Sequence, residues 1–192
     1  RDVERSRGLG DVYKRQEFEQ RNDVTAEEYL EMIRLKTAVL LAASLKIGAR
    51  LGGASVEDAD RLYDFGMHIG VAFQLKDDLL DVYGNAKVFG KNIGGDILCN
   101  KKTYMLIKAL EHANADQHNQ LNSWINAETF QPAEKIAAVT ELYDRIGVKA
   151  VCENKILEYS NRAMESLAAV SIAEEKKEEL KKIIENLIHR EV

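Results

Sequence analysis

Phe73-Gln74-Leu75-Lys76-Asp77-Asp78-Leu79-Leu80-Asp81 lies in the middle of a long run of helical periodicity, and three carboxylates within five positions are its unusual feature. On a helix Gln74, Asp77 or Asp78, and Asp81 recur every three to four residues, which lines them up along one face. Like charges so spaced repel one another, so the arrangement needs a use. A hard cation resolves the repulsion: Mg2+ takes carboxylate oxygens and keeps waters and substrate phosphates in its other positions. Taken alone, the three aspartates read equally well as the wet face of an ordinary amphipathic helix.

Working outward, Ser55 with Asp58 three residues on opens this helix, which runs through Leu62, Phe65, Ile69, Phe73 and Leu80 to about Tyr83, where Gly84-Asn85 stops it. Upstream, Thr25 and Glu28 have capping-box spacing. Tyr29, Met32, Ile33, Leu40 and Leu41 form the apolar face of that helix, and Gly48 with Gly52-Gly53 marks its end. Downstream, residues 84–100 hold four glycines and no helical period, which reads as an ordered loop. A loop of that length in a compact domain usually has a function. Helix is expected again from about Lys101 to His112. A polar stretch, Asn114 to Gln120, precedes a short helix around Leu121, Trp124 and Ile125, and Gln131-Pro132 suits a helix entry. Two last helices fit Val148–Leu167 and Glu174–His189, the latter spaced by Leu180, Ile183, Ile184, Leu187 and Ile188.

Composition agrees. The 192 residues are 45% hydrophobic and 31% charged, the balance of a globular domain. Pro132 is the single proline where an average chain of this length carries roughly ten, so the chain is expected to be mostly helical. A net charge of -5 argues against a grip on nucleic acid, which needs clustered basic residues. Cys99 and Cys152 lack metal spacing and fit a reducing, cytoplasmic setting. His68, His112, His118 and His189 share no ligand pattern either. The longest strongly apolar stretch, about Thr37 to Leu45, is broken by Lys46 and falls far short of the roughly 18 residues that suggest a membrane span.

The loop after the aspartates contains Gly90-Lys91-Asn92-Ile93-Gly94-Gly95-Asp96, followed by Asn100-Lys101-Lys102-Thr103. Glycines let backbone amides approach an anion, and lysine supplies a point charge for phosphate. Lys36-Thr37 sits in an otherwise apolar helix, where a lysine needs an anionic partner or snorkels to water. Together these features converge on a diphosphate held with magnesium.

In this order, KT, FQxxDDxxD, GKxxGxD and KxT, the chain resembles the C-terminal half of the trans-isoprenyl diphosphate synthases, the farnesyl and geranylgeranyl diphosphate synthase group, over residues 17–192. The resemblance implies an all-helical isoprenoid-synthase-type bundle around a deep cavity, in which two aspartate-rich motifs hold Mg2+ around an allylic diphosphate. It makes Asp77, Asp78 and Asp81 the second of those motifs, with Asp77 the direct ligand. Lys36 and Lys91 match lysines that contact the allylic diphosphate, and Lys101 a further lysine nearby. Thr37 and Gln74 match polar groups beside the developing allylic cation, with Phe73 next to them on the substrate side. Asp96 matches an aspartate in the loop that closes over the site. The implied reaction is ionisation of an allylic diphosphate and attack by the double bond of isopentenyl diphosphate, then loss of a proton, commonly in a homodimer.

The family's N-terminal half, with its first aspartate-rich motif, has no counterpart here. Residues 1–16, RDVERSRGLGDVYKRQ, have no apolar segment of the secretory-signal kind and resemble adapter-like translated ends of environmental DNA fragments. They are read as non-native, and the family-like sequence begins at Glu17-Phe18-Glu19. The expectation is an incomplete bundle, a fragment inactive by itself. Two alternatives stay open. A class I terpene cyclase shares the bundle, yet its second metal motif is usually of an Asn/Ser/Glu type; a non-catalytic helical subunit would pair with a complete synthase.

Overall fold

The computed structural model describes Arg21, residues 23–85 and residues 93–189. Residues 1–16, Glu17-Phe18-Glu19 and Lys91 with its neighbours lie outside that range. Among the described residues all regular structure is helical. Helix α1 (Ala26–Ile33) opens on the expected capping box: the Glu28 amide donates to Thr25 Oγ1 at 3.2 Å, and Glu28 Oε2 accepts from the Thr25 amide at 2.9 Å. It passes through a π turn, Arg34–Ala38, into α2 (Val39–Leu51). Helix α3 (Val56–Tyr83) begins with Ser55 accepting from the Asp58 amide and stops at Gly84, as the sequence led one to expect.

The π turn overturns one expectation. Tyr29 and Ile33 are buried, but the next buried residues on the rod are Ala38 and Ala42, while Leu40 is 74% exposed and Leu41 is exposed too. The turn carries an extra residue, with the Val39 amide bonding back to Arg34 O five positions earlier. One added residue rotates everything beyond it by about 100°. Small residues thus face inward after the turn, and the leucines face outward.

Those small residues let α2 and α3 touch. A Cβ placed on Gly70 would lie 2.6 Å from Ala38 Cα, and one on Gly66 would lie 2.7 Å from Ala42 Cα. Helix α3 is therefore gripped by α2 on one side and by α8 (Val148–Ala168) on another. Leu75 and Leu79 of α3 join a core with Tyr29, Tyr104 and Leu121, while Phe65, Ile69 and Ala72 pack against Ala163, Leu167, Ile184 and Leu187.

Other boundaries move. The glycine-rich segment is not all loop: Gly94, at φ 85°, starts a one-turn helix α4 (Gly95–Leu98). Helix α5 (Tyr104–His112) starts three residues later than expected because Thr103 caps it, accepting from the Leu106 amide. The polar stretch after Asn114 is the first half of α6 (Ala115–Ile125), opened by an Asn114–Gln117 capping box and too exposed to show an apolar period. Helix α7 (Pro132–Ile146) does begin at the proline. The last segment splits into a 3-10 turn, Glu174–Lys176, and α9 (Glu178–His189).

Gly70→Ala is expected to cost about 2 kcal/mol, because the added methyl overlaps the Ala38 backbone. Gly48→Ala, in the exposed interior of α2 with nothing within 4 Å of its Cβ position, is expected to gain about 0.5–1 kcal/mol. Urea unfolding of the two variants measures both; equal shifts would contradict the close helix contact.

Candidate active site

The π turn and the middle of α3 meet at the upper end of this contact. Thr37 follows Lys36 in the turn, and its Oγ1 donates to Gln74 Oε1 at 3.3 Å, one helical turn beyond Gly70. Lys36 is exposed beside it. Phe73 is 44% exposed at the same edge.

The three aspartates are not equivalent. Asp77 and Asp81, four residues apart, are half-buried along one line of α3. Asp78 is 1% exposed and points inward. The Tyr29 hydroxyl donates to its Oδ2, and Lys101 Nζ donates to its Oδ1 at 3.1 Å. Both oxygens are engaged, so Asp78 stands apart from Asp77 and Asp81, in keeping with Asp77 rather than Asp78 as the expected direct ligand. Among the described residues no three His, Cys, Asp or Glu side chains converge on one metal position. What α3 presents is Asp77, which has no hydrogen-bond or ion-pair partner among the described residues, with Asp81 one turn on.

Asp81 also organises the segment that follows. Its Oδ2 accepts from the Asp96 amide at 2.9 Å, and its main-chain carbonyl accepts from the Gly94 amide at 2.6 Å. That places Asp96 beside Lys101, whose Nζ donates to Asp96 Oδ2 at 2.6 Å as well as to Asp78. Lys101 lies in the loop before α5, not within the helix. It bridges two carboxylates and retains a third donor. Lys91, expected next to it, falls outside the described residues.

Burial pushes the Asp78 carboxyl up to about 6, against the opposing pull of Lys101 and the Tyr29 hydroxyl. Burial also raises Asp81, partly offset by the Asp96 amide. For Lys101 burial works downward, but Asp78 and Asp96 outweigh it, and the ammonium titrates above its ordinary value. Tyr29 was legible only as an apolar-face residue; no local signal ties it to Asp78, 49 positions away.

Two carboxylates on one face, one of them without a partner among the described residues, fit a hard cation that completes its shell with water and phosphate oxygens rather than an all-protein cage. Lysines and a backbone turn stand around the same edge. Residues 8–143 match the polyprenyl synthetase family. The chain belongs to that family. It is 37% identical over 174 residues to a short chain isoprenyl diphosphate synthase of Methanothermobacter thermautotrophicus, a match covering 91% of this chain and 52% of the relative. A crystal structure of a geranylgeranyl pyrophosphate synthase superposes with TM-score 0.86 at 35% identity, covering 97% of this chain and 59% of that one. The Corynebacterium glutamicum geranylgeranyl pyrophosphate synthase complexed with isoprenyl diphosphate and magnesium superposes at 0.81 with 29% identity, over 95% and 51% of the two chains. The fold is thus the all-α isoprenoid-synthase bundle, and this polyprenyl synthetase chain spans about half the length of the curated relatives it matches.

A carboxyl whose folded-state pKa is raised favours folding while it is protonated, below the ordinary carboxylate range, and that contribution is lost as pH rises through about 6. The stability of Asp78→Asn relative to the parent chain should therefore increase between pH 4 and pH 7, by on the order of 1–3 kcal/mol. Parallel curves of urea-unfolding free energy against pH would contradict the burial of an ionisable group there.

Proposed function

We propose that this chain is part of a prenyltransferase that joins isopentenyl diphosphate to an allylic diphosphate in isoprenoid biosynthesis. The carrying observation is the juxtaposition of Asp77, which has no hydrogen-bond or ion-pair partner among the described residues, with Asp81, Asp96 and Lys101 at one edge of α3. Asp77 and Asp81 would hold magnesium, which supplies charge for the departing diphosphate. The allylic carbon–oxygen bond breaks and its electron pair leaves with the diphosphate. The double bond of isopentenyl diphosphate then attacks the cation, and a proton is lost.

This chain's own residues have separate parts. Lys36, Lys91 and the remaining donor of Lys101 bind diphosphate oxygens, stabilising negative charge as it develops on the leaving group. Gln74 Oε1, fixed by the Thr37 hydroxyl, turns an oxygen dipole toward the allylic cation. Phe73 bounds the apolar side. Asp78, the third aspartate of the motif, spends both oxygens on Tyr29 and Lys101 in this structure and holds them in place, leaving Asp77 as the direct ligand.

The described residues supply one wall of such a site, and the chain spans about half the length of its relatives, so the chain by itself is expected to be inactive. An apolar stripe, Leu40, Ile47 and Leu51, lies exposed along α2 and continues the line of Lys36. It supports the view that further helices cover this edge, from the rest of the fold or from the second subunit of a homodimer. The same stripe is what a non-catalytic helical subunit would use to bind a complete synthase. Among the described residues no helix is long and apolar enough to cross a membrane; a cytoplasmic enzyme is proposed on the cysteine content.

The isolated chain is expected to form no prenyl product from isopentenyl and allylic diphosphates with magnesium, and measurable product would overturn the one-wall reading. In a chain carrying the whole fold, Asp77→Ala or Lys91→Ala should cut turnover by about two orders of magnitude or more while helicity, read by circular dichroism, stays intact. Unchanged turnover in both would mean that the site is elsewhere.

A further inference from the structure

Lys135, in the first turns of α7, is 1% exposed yet belongs to none of the motifs above. A buried ammonium is costly unless it is bonded, and an apolar residue would fill the same space more cheaply. Its Nζ donates to Asn100 Oδ1 at 2.8 Å and sits 4.2 Å from the centroid of the Phe130 ring.

Asn100 is the residue immediately before Lys101, and among the described residues it is the one non-glycine with positive φ, at 51°. Asparagine tolerates that left-handed conformation better than most residues but still needs holding there. Its side chain is held at both ends. Oδ1 accepts from Lys135, and Nδ2 donates to the Ile125 carbonyl at 3.0 Å, one of the unpaired carbonyls at the end of α6. Asp96, Asn100, Lys101 and Lys135 line one cavity of about 20 Å3. The chain of contacts runs from α6 and α7 through Asn100 to the loop that aims Lys101 at Asp78 and Asp96.

We infer that Lys135 is a positioning residue for Lys101: through its bond to Asn100 it keeps that residue left-handed and so keeps the Lys101 ammonium between Asp78 and Asp96. The consequence for diphosphate binding rests on the function proposed above; the positioning does not. Among the described residues Lys135 bonds neither carboxylate, so its removal acts on Lys101 only through the backbone at Asn100.

Ammonium signals in 15N NMR spectra of the full chain test this, since a hydrogen-bonded lysine held between carboxylates exchanges its protons slowly. Lys101 is assigned by the signal lost in Lys101→Arg. Lys177, bonded to the Ala168 carbonyl and Glu174 far along the chain, serves as the internal reference. Lys135→Met is expected to abolish the Lys101 signal and to leave that of Lys177. Asn100→Ala, which removes the acceptor with Lys135 still in place, should do the same and decides the matter where Lys135→Met does not fold. Lys135→Arg, which restores a donor, should recover the Lys101 signal. Persistence of the Lys101 signal in Lys135→Met or in Asn100→Ala overturns the inference, as does its absence from the parent chain or joint loss of the Lys101 and Lys177 signals. A second arm titrates the chain with inorganic diphosphate and magnesium. Affinity should fall about 10-fold, one charge-assisted bond, in the variants that lose the Lys101 signal. Loss of the signal with unchanged affinity leaves the positioning role standing and removes Lys101 from the proposed diphosphate site.

Discussion

The carboxylate of Asp78 is the constraint from which the candidate site takes its shape. Its removal from water is unfavourable by several kcal/mol unless every oxygen is bonded, and the bonds come from elements that are distant in sequence: Tyr29 on α1 and Lys101 in the loop before α5. Because Lys101 also holds Asp96, and the Asp96 amide holds Asp81, one buried charge draws α1, α3 and the following loop into a single network. Asp77, left out of that network, is the carboxylate available to something else.

The network would not face the π turn without the close contact of α2 on α3. Gly66 and Gly70 pack against Ala42 and Ala38 with no room for a Cβ, so the two backbones approach as far as sterics allow. That contact needs small residues inward at 38 and 42, whereas an unbroken α-helix leading from Tyr29 and Ile33 would have brought larger side chains there. The extra residue of the π turn shifts the register and also places Thr37 opposite Gln74. A local distortion thus serves packing and site geometry at once, as such insertions often do.

What could be read from residues alone follows from the range of each interaction. Helix starts at Thr25, Ser55 and Pro132 were legible because capping is decided within three or four positions. The aspartates of α3, the lysine-glycine loop and Lys36-Thr37 stood out in the sequence because each is a short pattern, and they are the residues of the proposed site. The inward turn of Asp78 was not, since Asp77 and Asp78 are adjacent and the partners that choose between them lie 49 and 23 positions away. Nor was the π turn, because RLKTAVLL satisfies ordinary helical spacing. The start of α6 was hidden for the opposite reason: its first turns face solvent, so nothing apolar marked them.

On the function proposed above, the stripe of Leu40, Ile47 and Leu51 would couple the covering of the site to the burial of apolar surface. These side chains continue along α2 from Lys36, so a helix that covers Leu40 also comes over Lys36 and the edge holding Thr37, Gln74 and Phe73. Covering the leucines is favourable through the area withdrawn from water. The same step lowers the local dielectric around the lysine and strengthens its attraction for a bound anion. On the function proposed above, an exposed Lys36 would be a weak phosphate contact in water, while the identical side chain beneath a covering helix would be a strong one. The chemistry proposed for α3 and the π turn would therefore depend on the packing of a surface that carries no polar motif at all.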